Sequence, residues 1–274
     1  MEFAMLLNAI KAAVHAGEEI LAIYNDPCQD FQIEQKADNS PLTIADRKAH
    51  EVICDYLQNT PYPILSEEGK KMLYEERASW NVLWVVDPLD GTKEFIKRNG
   101  EFTVNIALVE NGTPTLGVIY IPVKKTLYFS ESQIGAYKVE ITQSVDGLTW
   151  DTLMSNACKL PVKSTRDSFV IVASRSHLSP ETETYVAEMK QKYNEVNLIS
   201  SGSSIKICLV AEGFADVYPR FAPTMEWDTA AGHAIARAAG MEIYCVEDGK
   251  EQNKPLTYNK KDLLNPWFIV KPVK

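Results

Sequence analysis

The segment of this sequence with the most evident chemistry is Asp-Pro-Leu-Asp-Gly-Thr at residues 87–92, which follows the apolar run 82–86. Two carboxylates three residues apart leave the end of a strand-like run, where Pro88 fixes the backbone and Gly91 permits a tight bend. Such a turn can direct both carboxylates and the carbonyl of Leu89 toward one point, and hard divalent cations bind oxygen clusters of this kind. The backbone amides that follow begin a short helical turn, which suits an anion. The segment therefore predicts a cation pocket beside a phosphate pocket, the combination that phosphoryl transfer requires.

Acidic side chains at three other places extend this pattern. The Glu67-Glu68 pair follows a short apolar run, and Asp46 lies in an early helix-like segment. Asp228 precedes a run of small residues. Each place also has an ordinary structural explanation: a solvated charge pair, a capping-box partner of Thr43, and a helix N-cap. Since an isolated Asp-x-x-Asp pair likewise fits a plain turn, the residues alone leave metal binding and local capping both open.

Hydrophobic periodicity predicts the elements that must position these side chains. Apolar residues at helical spacing indicate amphipathic helices over residues 3–24 and 43–59. Short β-branched runs indicate buried strands, of which 82–86 is typical. Further strands are predicted at 31–36, 63–66, 103–110, 114–121, 126–129, 134–139, 168–173, 216–219 and 241–246, and further helices at 180–192, 203–211 and 228–239. This mixture favours a layered α+β architecture.

Length and composition exclude several classes of protein. The chain has 274 residues, enough for about two units of roughly 150 residues, and a polar region at 140–167 suggests halves of 1–150 and 151–274. The formal net charge of −9 argues against binding to DNA or RNA polymers, which requires clustered cations. No apolar run approaches the ~20 residues of a transmembrane helix.

The cysteines and the first residues predict the compartment. The five cysteines are scattered without a Cys-x-x-Cys pair, which excludes a cysteine-built zinc site and favours a reducing environment. The first 24 residues lack the features of a secretion signal. We therefore expect a cytoplasmic enzyme. Peripheral association with the cytoplasmic face of the inner membrane stays open, although no basic amphipathic helix supports it. The sequence also leaves monomer and homodimer both open.

Taken together, the acidic segments resemble the lithium-sensitive, magnesium-dependent phosphatases related to inositol monophosphatase. That family carries Glu-Glu, then Asp-Pro-[Ile/Leu]-Asp-Gly-Thr, then a distant Trp-Asp before a helix of small residues. Here the motifs lie at 67–68, 87–92 and 227–232, in that order across nearly the whole chain. Within the superfamily, the chain is most similar to the 3′(2′),5′-bisphosphate nucleotidases of the bacterial sulfur-assimilation type. The residues that carry this closer similarity lie at 36–41, 90–95, 202–206 and 216–220.

The resemblance implies two or three magnesium ions and their ligands. It assigns Glu67, Asp87 and the Leu89 carbonyl to one ion. It assigns Asp87, Asp90 and Asp228 to a second ion, and Glu67 helps to place a third, weaker one. Because bound magnesium reverses the local sign of charge, the acidic composition is compatible with an anionic substrate.

The catalytic residues that the resemblance implies are Asp46, Thr92 and Glu67. Asp46 and Thr92 resemble the pair that orients and deprotonates the attacking water. A threonine hydroxyl bonded to a carboxylate suits this general-base role, because it can pass its own proton onward.

The resemblance also implies residues that bind the substrate. They are Gly91, Thr92, His177, Ser203, Lys206, Arg220 and Asp228. We expect Ser203, Lys206, Arg220 and His177 to contact a second phosphate and the sugar, since charged donors at a helix end or in bidentate geometry give selectivity. Without the resemblance, the sequence is equally compatible with Lys206 and Arg220 as ordinary surface charges and with His177 as a loop histidine.

The implied fold is a layered αβαβα sandwich of the inositol monophosphatase type, with the active site between two halves. Residues 1–150 would supply most metal ligands, and residues 151–274 would complete the metal site and bind the nucleotide. The implied reaction is hydrolysis of the 3′-phosphate of adenosine 3′,5′-bisphosphate to AMP and phosphate by a metal-activated water. Two alternatives are an inositol or sugar monophosphatase and a catalytically silent protein that binds nucleotide or magnesium, because fold alone does not fix function.

Overall fold

Helices and strands alternate along most of the chain. The computed structural model describes residues 3–26, 28, 31–35, 41–162, 166–175 and 179–273. The helices in these ranges are α1 (Ala4–Asn25), α2 (Ile44–Leu57), α3 (Tyr74–Arg77), α4 (Thr92–Ile96), α5 (Trp150–Met154), α6 (Pro180–Lys192), α7 (Ile205–Glu212) and α8 (Glu226–Ala238). The strands are β1 (Glu34–Gln35), β2 (Pro41–Leu42), β3 (Ile64–Ser66), β4 (Val82–Asp90), β5 (Thr103–Glu110), β6 (Thr113–Ile121), β7 (Thr126–Glu131), β8 (Gly135–Glu140), β9 (Cys158–Lys159), β10 (Phe169–Ser174), β11 (Val196–Ser201), β12 (Tyr218–Arg220), β13 (Met241–Glu247), β14 (Lys250–Pro255) and β15 (Trp267–Pro272).

Two larger sheets organise these strands. The first has seven strands in the order β3-β4-β5-β6-β7-β8-β9, in which only the β3–β4 pair is parallel. The second has four antiparallel strands in the order β12-β15-β13-β14. Strands β10 and β11 form a separate parallel pair, and β1 and β2 form a short antiparallel one.

Alternating side chains along the strands divide the interior into layers. In β4, Trp84 and Val86 pack with α1 and α2 on one face of the large sheet, while Leu83 and Val85 pack with α7 and α8 on the other. Helix α8 contacts β5 and β6 and also β13 of the second sheet. Helix α6 packs on the outer face of that sheet, in a third and smaller apolar cluster. The succession is helix, sheet, helix, sheet, helix, which confirms the predicted layered α+β fold.

A glycine in β6 brings α8 against the large sheet. A Cβ atom at Gly117 would lie 2.4 Å from the carbonyl oxygen of Ala231 and 2.8 Å from Ala234 Cβ. Only a residue without a side chain allows this approach. Because α8 carries Asp228, the packing at Gly117 helps to set where that carboxylate lies.

The element bounds differ from the predicted ones where patterns were weak. Strand β4 was expected to end at residue 86 but continues to Asp90, with a register shift against β5 between Asp87 and Asp90. Five strands were not predicted: β2, β9, β11, β14 and β15. Strands β11 and β14 are largely exposed and carry no apolar alternation, whereas the apolar residues of β15 are mostly buried and were overlooked. The division into 1–150 and 151–274 stays a prediction; β9, from beyond residue 150, adds to the large sheet. Among the helices described, none is both long and apolar enough to cross a bilayer.

Candidate active site

Three aspartates from two distant parts of the chain converge at one end of the large sheet. Carboxylate oxygens of Asp87, Asp90 and Asp228 all lie within 4.8 Å of one another. Asp87 and Asp90 stand at the end of β4, on the two sides of its register shift against β5. One interpretation of the sequence makes Asp228 the N-cap of a helix. In the structure the N-cap is Met225, and Asp228 is the third residue of α8. It caps the helix from inside by accepting a hydrogen bond from the Met225 amide.

Each of the three carboxylates has one oxygen bonded to the protein. Asp87 Oδ1 accepts from the backbone amide of Leu89 at 3.1 Å, and Asp228 Oδ2 accepts from that of Met225 at 2.8 Å. Asp90 Oδ2 accepts from the backbone amide of Ser204 at 2.7 Å. These bonds help to orient the three carboxylates, and Asp87 is also hydrogen-bonded to the side chain of Glu67.

The electrostatics of this cluster fit a divalent cation. Burial, followed by the negative charges of Glu67, Asp90 and Asp228, holds the pKa of Asp87 well above its usual range. Burial, Asp90 and Glu67 likewise raise the pKa of Asp228 to about 8. Carboxylates that raise one another's pKa repel, and a hard cation among their oxygens would offset that repulsion. The donor set, all oxygen, is the one that magnesium prefers.

Two further predicted ligand groups lie at this cluster. Glu67 follows β3 directly, and its backbone amide donates to the carbonyl of Val86, one residue before Asp87. Its side chain is close enough that its charge is the second largest cause of the raised pKa of Asp87. The carbonyl of Leu89 is within 3.3 Å of Thr92 Oγ1. The fold therefore brings the five predicted ligand residues to one place.

Asp46 and Thr92 form a hydrogen-bonded pair beside the cluster. Asp46 is 1% exposed, and its Oδ2 accepts from the amide and the hydroxyl of Thr43, in the predicted capping box. Its Oδ1 accepts from Thr92 Oγ1 at 3.1 Å. Capping and site chemistry thus use different oxygens of the same carboxylate, so the two interpretations of Asp46 are compatible.

A cavity of about 310 Å³ opens from the aspartates toward two cations. Residues that line it include Asp90, Gly91, Thr92, Ser203, Lys206, Arg220 and Asp228. Lys206 is 5% exposed; its Nζ donates to the carbonyl of Ser203 and lies 5.4 Å from the centre of the Tyr218 ring. Burial lowers the pKa of Lys206 to about 8, against the raising effect of Asp90. Arg220 donates from Nη2 to the carbonyl of Pro223, while its buried Nε has no partner in the described part of the chain.

The remaining predicted residues have different outcomes. Gly91 is the N-cap of α4 and has a left-handed backbone, with φ of 93°. Ser203 lines the cavity, but its hydroxyl contacts Asp90 Oδ2 at 2.7 Å and Thr103 Oγ1 at 2.6 Å. His177 lies outside the described residues.

Three polar residues at the site were not predicted. Thr103, Asn105 and Ser204 are buried and hydrogen-bonded around Asp90. The available signal was the presence of Thr103 and Asn105 at alternate positions of an otherwise apolar strand. Buried polar groups need partners, so this pattern indicates a polar neighbour on that face of β5.

Comparison with known proteins identifies similar chains. Over 269 residues, the chain is 44% identical to a 3′(2′),5′-bisphosphate nucleotidase, CysQ, of Escherichia coli K12, covering 97% of this chain and 99% of that protein. It is 31% identical to the corresponding protein of Haemophilus influenzae, covering 97% of this chain and 92% of that protein. The crystal structure of CysQ from Bacteroides thetaiotaomicron matches with a TM-score of 0.88 and 64% identity, covering 97% of this chain and 96% of that one.

A family model agrees with these individual relatives. The model of the inositol monophosphatase family matches residues 4–267, which include the acidic cluster, the Asp46–Thr92 pair and the cation-lined wall of the cavity. The resemblance carried by the acidic motifs is thereby confirmed. The chain belongs to the inositol monophosphatase family.

Proposed function

We propose that the chain is a magnesium-dependent 3′(2′),5′-bisphosphate nucleotidase, which converts adenosine 3′,5′-bisphosphate to AMP and phosphate. One observation carries this proposal: Asp90 and Asp228 of the acidic cluster and the cations Lys206 and Arg220 line the same cavity. A cation at the aspartates and two basic side chains across the cavity suit a substrate with two phosphates. The names of the CysQ relatives support the same substrate.

The acidic residues would hold two or three magnesium ions, as the family resemblance implies. Asp87, Asp90, Asp228, Glu67 and the Leu89 carbonyl are the proposed ligands. Bound magnesium would neutralise charge on the transferred phosphoryl group and on the leaving oxygen, and would lower the pKa of the attacking water. The protein's own part is to fix the carboxylate planes through the amides of Leu89, Met225 and Ser204.

Asp46 and Thr92 are proposed to accept the proton of the attacking water. The Thr92 hydroxyl donates to Asp46 Oδ1, so its own lone pairs are available to a water on the other side. Thr92 can take the water proton as it passes its own proton to Asp46. The Thr43 bonds fix Asp46 Oδ2, so only Oδ1 takes part.

The 5′-phosphate is proposed to bind between Lys206 and Arg220, with Ser203 nearby; His177, outside the described residues, stays a predicted contact. Lys206 is buried and Arg220 is half-buried. Charged hydrogen bonds to phosphate are stronger in such surroundings than in water. The unpartnered Nε of Arg220 is one donor available for this purpose. A cytoplasmic location is proposed as well, since all five cysteines are free and free thiols are typical of a reducing compartment.

The test is phosphate release from adenosine 3′,5′-bisphosphate, inositol 1-phosphate and fructose 1,6-bisphosphate, with magnesium titrated and lithium as an inhibitor. We expect the highest kcat/KM for the nucleotide and a loss of roughly tenfold or more in Arg220→Ala, since charge-assisted hydrogen bonds contribute about 1.5–3 kcal/mol. Arg237→Ala is the control, because Arg237 is half-exposed and pairs with Glu242 away from the cavity. Faster turnover of inositol phosphate, or no loss in Arg220→Ala, would overturn the substrate assignment. Binding without phosphate release would identify a silent relative.

A further inference from the structure

One oxygen of Asp90 is saturated by protein donors. Asp90 Oδ2 accepts from the backbone amide of Ser204 at 2.7 Å, from Ser203 Oγ at 2.7 Å and from Ser204 Oγ at 2.8 Å. A carboxylate oxygen offers about two lone-pair sites, so these donors leave no room for a cation on that oxygen. None of the described residues donates a hydrogen bond to Asp90 Oδ1. The aspartate therefore presents a single oxygen to the cluster.

The Ser204 hydroxyl links both halves of the acidic cluster. Its Oγ lies 2.8 Å from Asp90 Oδ2 and 2.8 Å from the backbone carbonyl of Asp228, and it accepts from Asn105 Nδ2 at 2.9 Å. A serine hydroxyl has one proton, which it must share between these two acceptors. Because Asn105 occupies a lone pair of Oγ, the proton is directed between the end of β4 and the start of α8. One side chain thus connects the Asp90 carboxylate to the backbone of Asp228.

Asn105 is itself fixed in orientation. Its Oδ1 accepts from Thr103 Oγ1 at 2.9 Å, and both residues are at most 1% exposed. They lie on β5 directly opposite the ligand-bearing residues, with Asn105 paired to Asp87 and Thr103 paired to Asp90. The amide cannot reverse without losing bonds at both ends, so Nδ2 stays directed at Ser204 Oγ at 2.9 Å, with Asp90 Oδ2 a longer 3.5 Å away.

We propose that Ser204 and Asn105 are positioning residues for the cation site, which hold Asp90 so that Oδ1 alone faces the ion. This inference rests on one part of the proposed function, the binding of a divalent cation by the acidic cluster. Outer hydrogen-bond partners of metal ligands typically change metal affinity about 10- to 100-fold when removed. The effect is therefore expected in cation binding, before any substrate is present.

The experiment measures Mn²⁺ binding by electron paramagnetic resonance, without substrate, on the full chain. Ser204→Ala and Asn105→Ala are each expected to weaken Mn²⁺ affinity about tenfold or more. Ser130→Ala is the matched control, because Ser130 is fully buried yet its hydroxyl has no partner among the described residues. Metal-free thermal unfolding of each variant shows whether the fold is retained.

A double variant separates a network from general damage. If Asn105 acts through Ser204, the double variant that combines Ser204→Ala and Asn105→Ala loses less Mn²⁺ affinity than the product of the two single-variant fold-losses. Wild-type Mn²⁺ affinity in a folded Ser204→Ala or Asn105→Ala variant overturns the proposal, and if one of the two does not fold, the other carries the test. A different result would overturn the proposed function alone: the wild type binds Mn²⁺ and the variants bind it more weakly, but the wild type does not hydrolyse the nucleotide.

Discussion

Thr92 Oγ1 lies 3.1 Å from Asp46 Oδ1, across 46 positions of sequence. The same hydroxyl is 3.3 Å from the carbonyl of Leu89, which is a proposed ligand of the cation. A single threonine thus stands between the proposed base and the proposed cation site. This arrangement separates proton transfer from cation binding, and the two can be tested independently.

The Asp46→Asn variant is expected to lose catalysis without losing the cation. An amide is not a base at neutral pH, so kcat should fall about 10²- to 10⁴-fold, the range of general-base contributions. Mn²⁺ affinity should stay close to wild type, since Asp46 is not among the clustered carboxylates. Asp55→Asn, an exposed position on the same helix, is the control. A kcat within a few-fold of wild type would remove Asp46 from the mechanism.

Chelation is expected to abolish phosphate release, and added magnesium to restore it. Asp90→Asn should raise the magnesium concentration needed for half-maximal activity by at least about tenfold, because it removes the charge on one of three clustered ligands. Magnesium should also raise the Tm of the wild type, since a ligand that binds only the folded state stabilises it. Asp151→Asn, an exposed residue of α5, is the control. Full activity after exhaustive chelation would contradict the cation assignment.

Much of the cluster could be predicted because its geometry is local. Asp87, Leu89 and Asp90 are brought together by one turn at the end of a strand, and the Asp46 capping box is a four-residue pattern. Long amphipathic helices can be predicted equally well: α6 spans the predicted residues 180–192.

The residues that sequence reasoning missed depend on contacts between distant segments. Ser204 meets Asp90 across 114 positions, and Asn105 meets Ser204 across 99. No spacing rule encodes such pairs, because they arise where the fold brings Ser204, the N-cap of α7, to the end of β4 and to β5. The hydroxyl of Ser203 was expected at the substrate, and its bond to Asp90 could be seen only in the fold.

The Lys206 ammonium gives a pH dependence that distinguishes two substrates. Burial lowers the pKa of Lys206 to about 8, so the free enzyme loses this charge as pH rises through 8. We expect KM for adenosine 3′,5′-bisphosphate to increase above pH 8, while KM for adenosine 3′-monophosphate, which lacks the 5′-phosphate, stays level. Lys206→Arg should remove the increase because arginine keeps its charge. Parallel profiles for both substrates would show that Lys206 does not contact the second phosphate.

The lowered pKa of Lys206 also makes the free energy of unfolding depend on pH. Between pH 8 and the ordinary lysine pKa of 10.5, the unfolded chain keeps a proton that folded Lys206 has released. Stability therefore rises with pH across this window, and the unfavourable burial of the charge is fully present below pH 8. The difference in urea-unfolding free energy between wild type and Lys206→Met should accordingly shift in favour of the wild type from pH 8 to pH 10. A constant difference would contradict the lowered pKa.

Gly117→Ala should weaken both the fold and the cation site. The new Cβ would meet the Ala231 carbonyl at 2.4 Å, so α8 must move away from β6, at a cost of about 1–3 kcal/mol in the free energy of unfolding. Since Asp228 lies on the same helix, Mn²⁺ affinity should fall with it. Gly147→Ala is the control, because a Cβ there would meet nothing within 4 Å, and its stability should be unchanged or slightly raised. Urea unfolding and Mn²⁺ titration of both variants provide the measurement. A Gly117→Ala protein with wild-type stability would mean that α8 is free to shift, and that its contact with β6 does not set the position of Asp228.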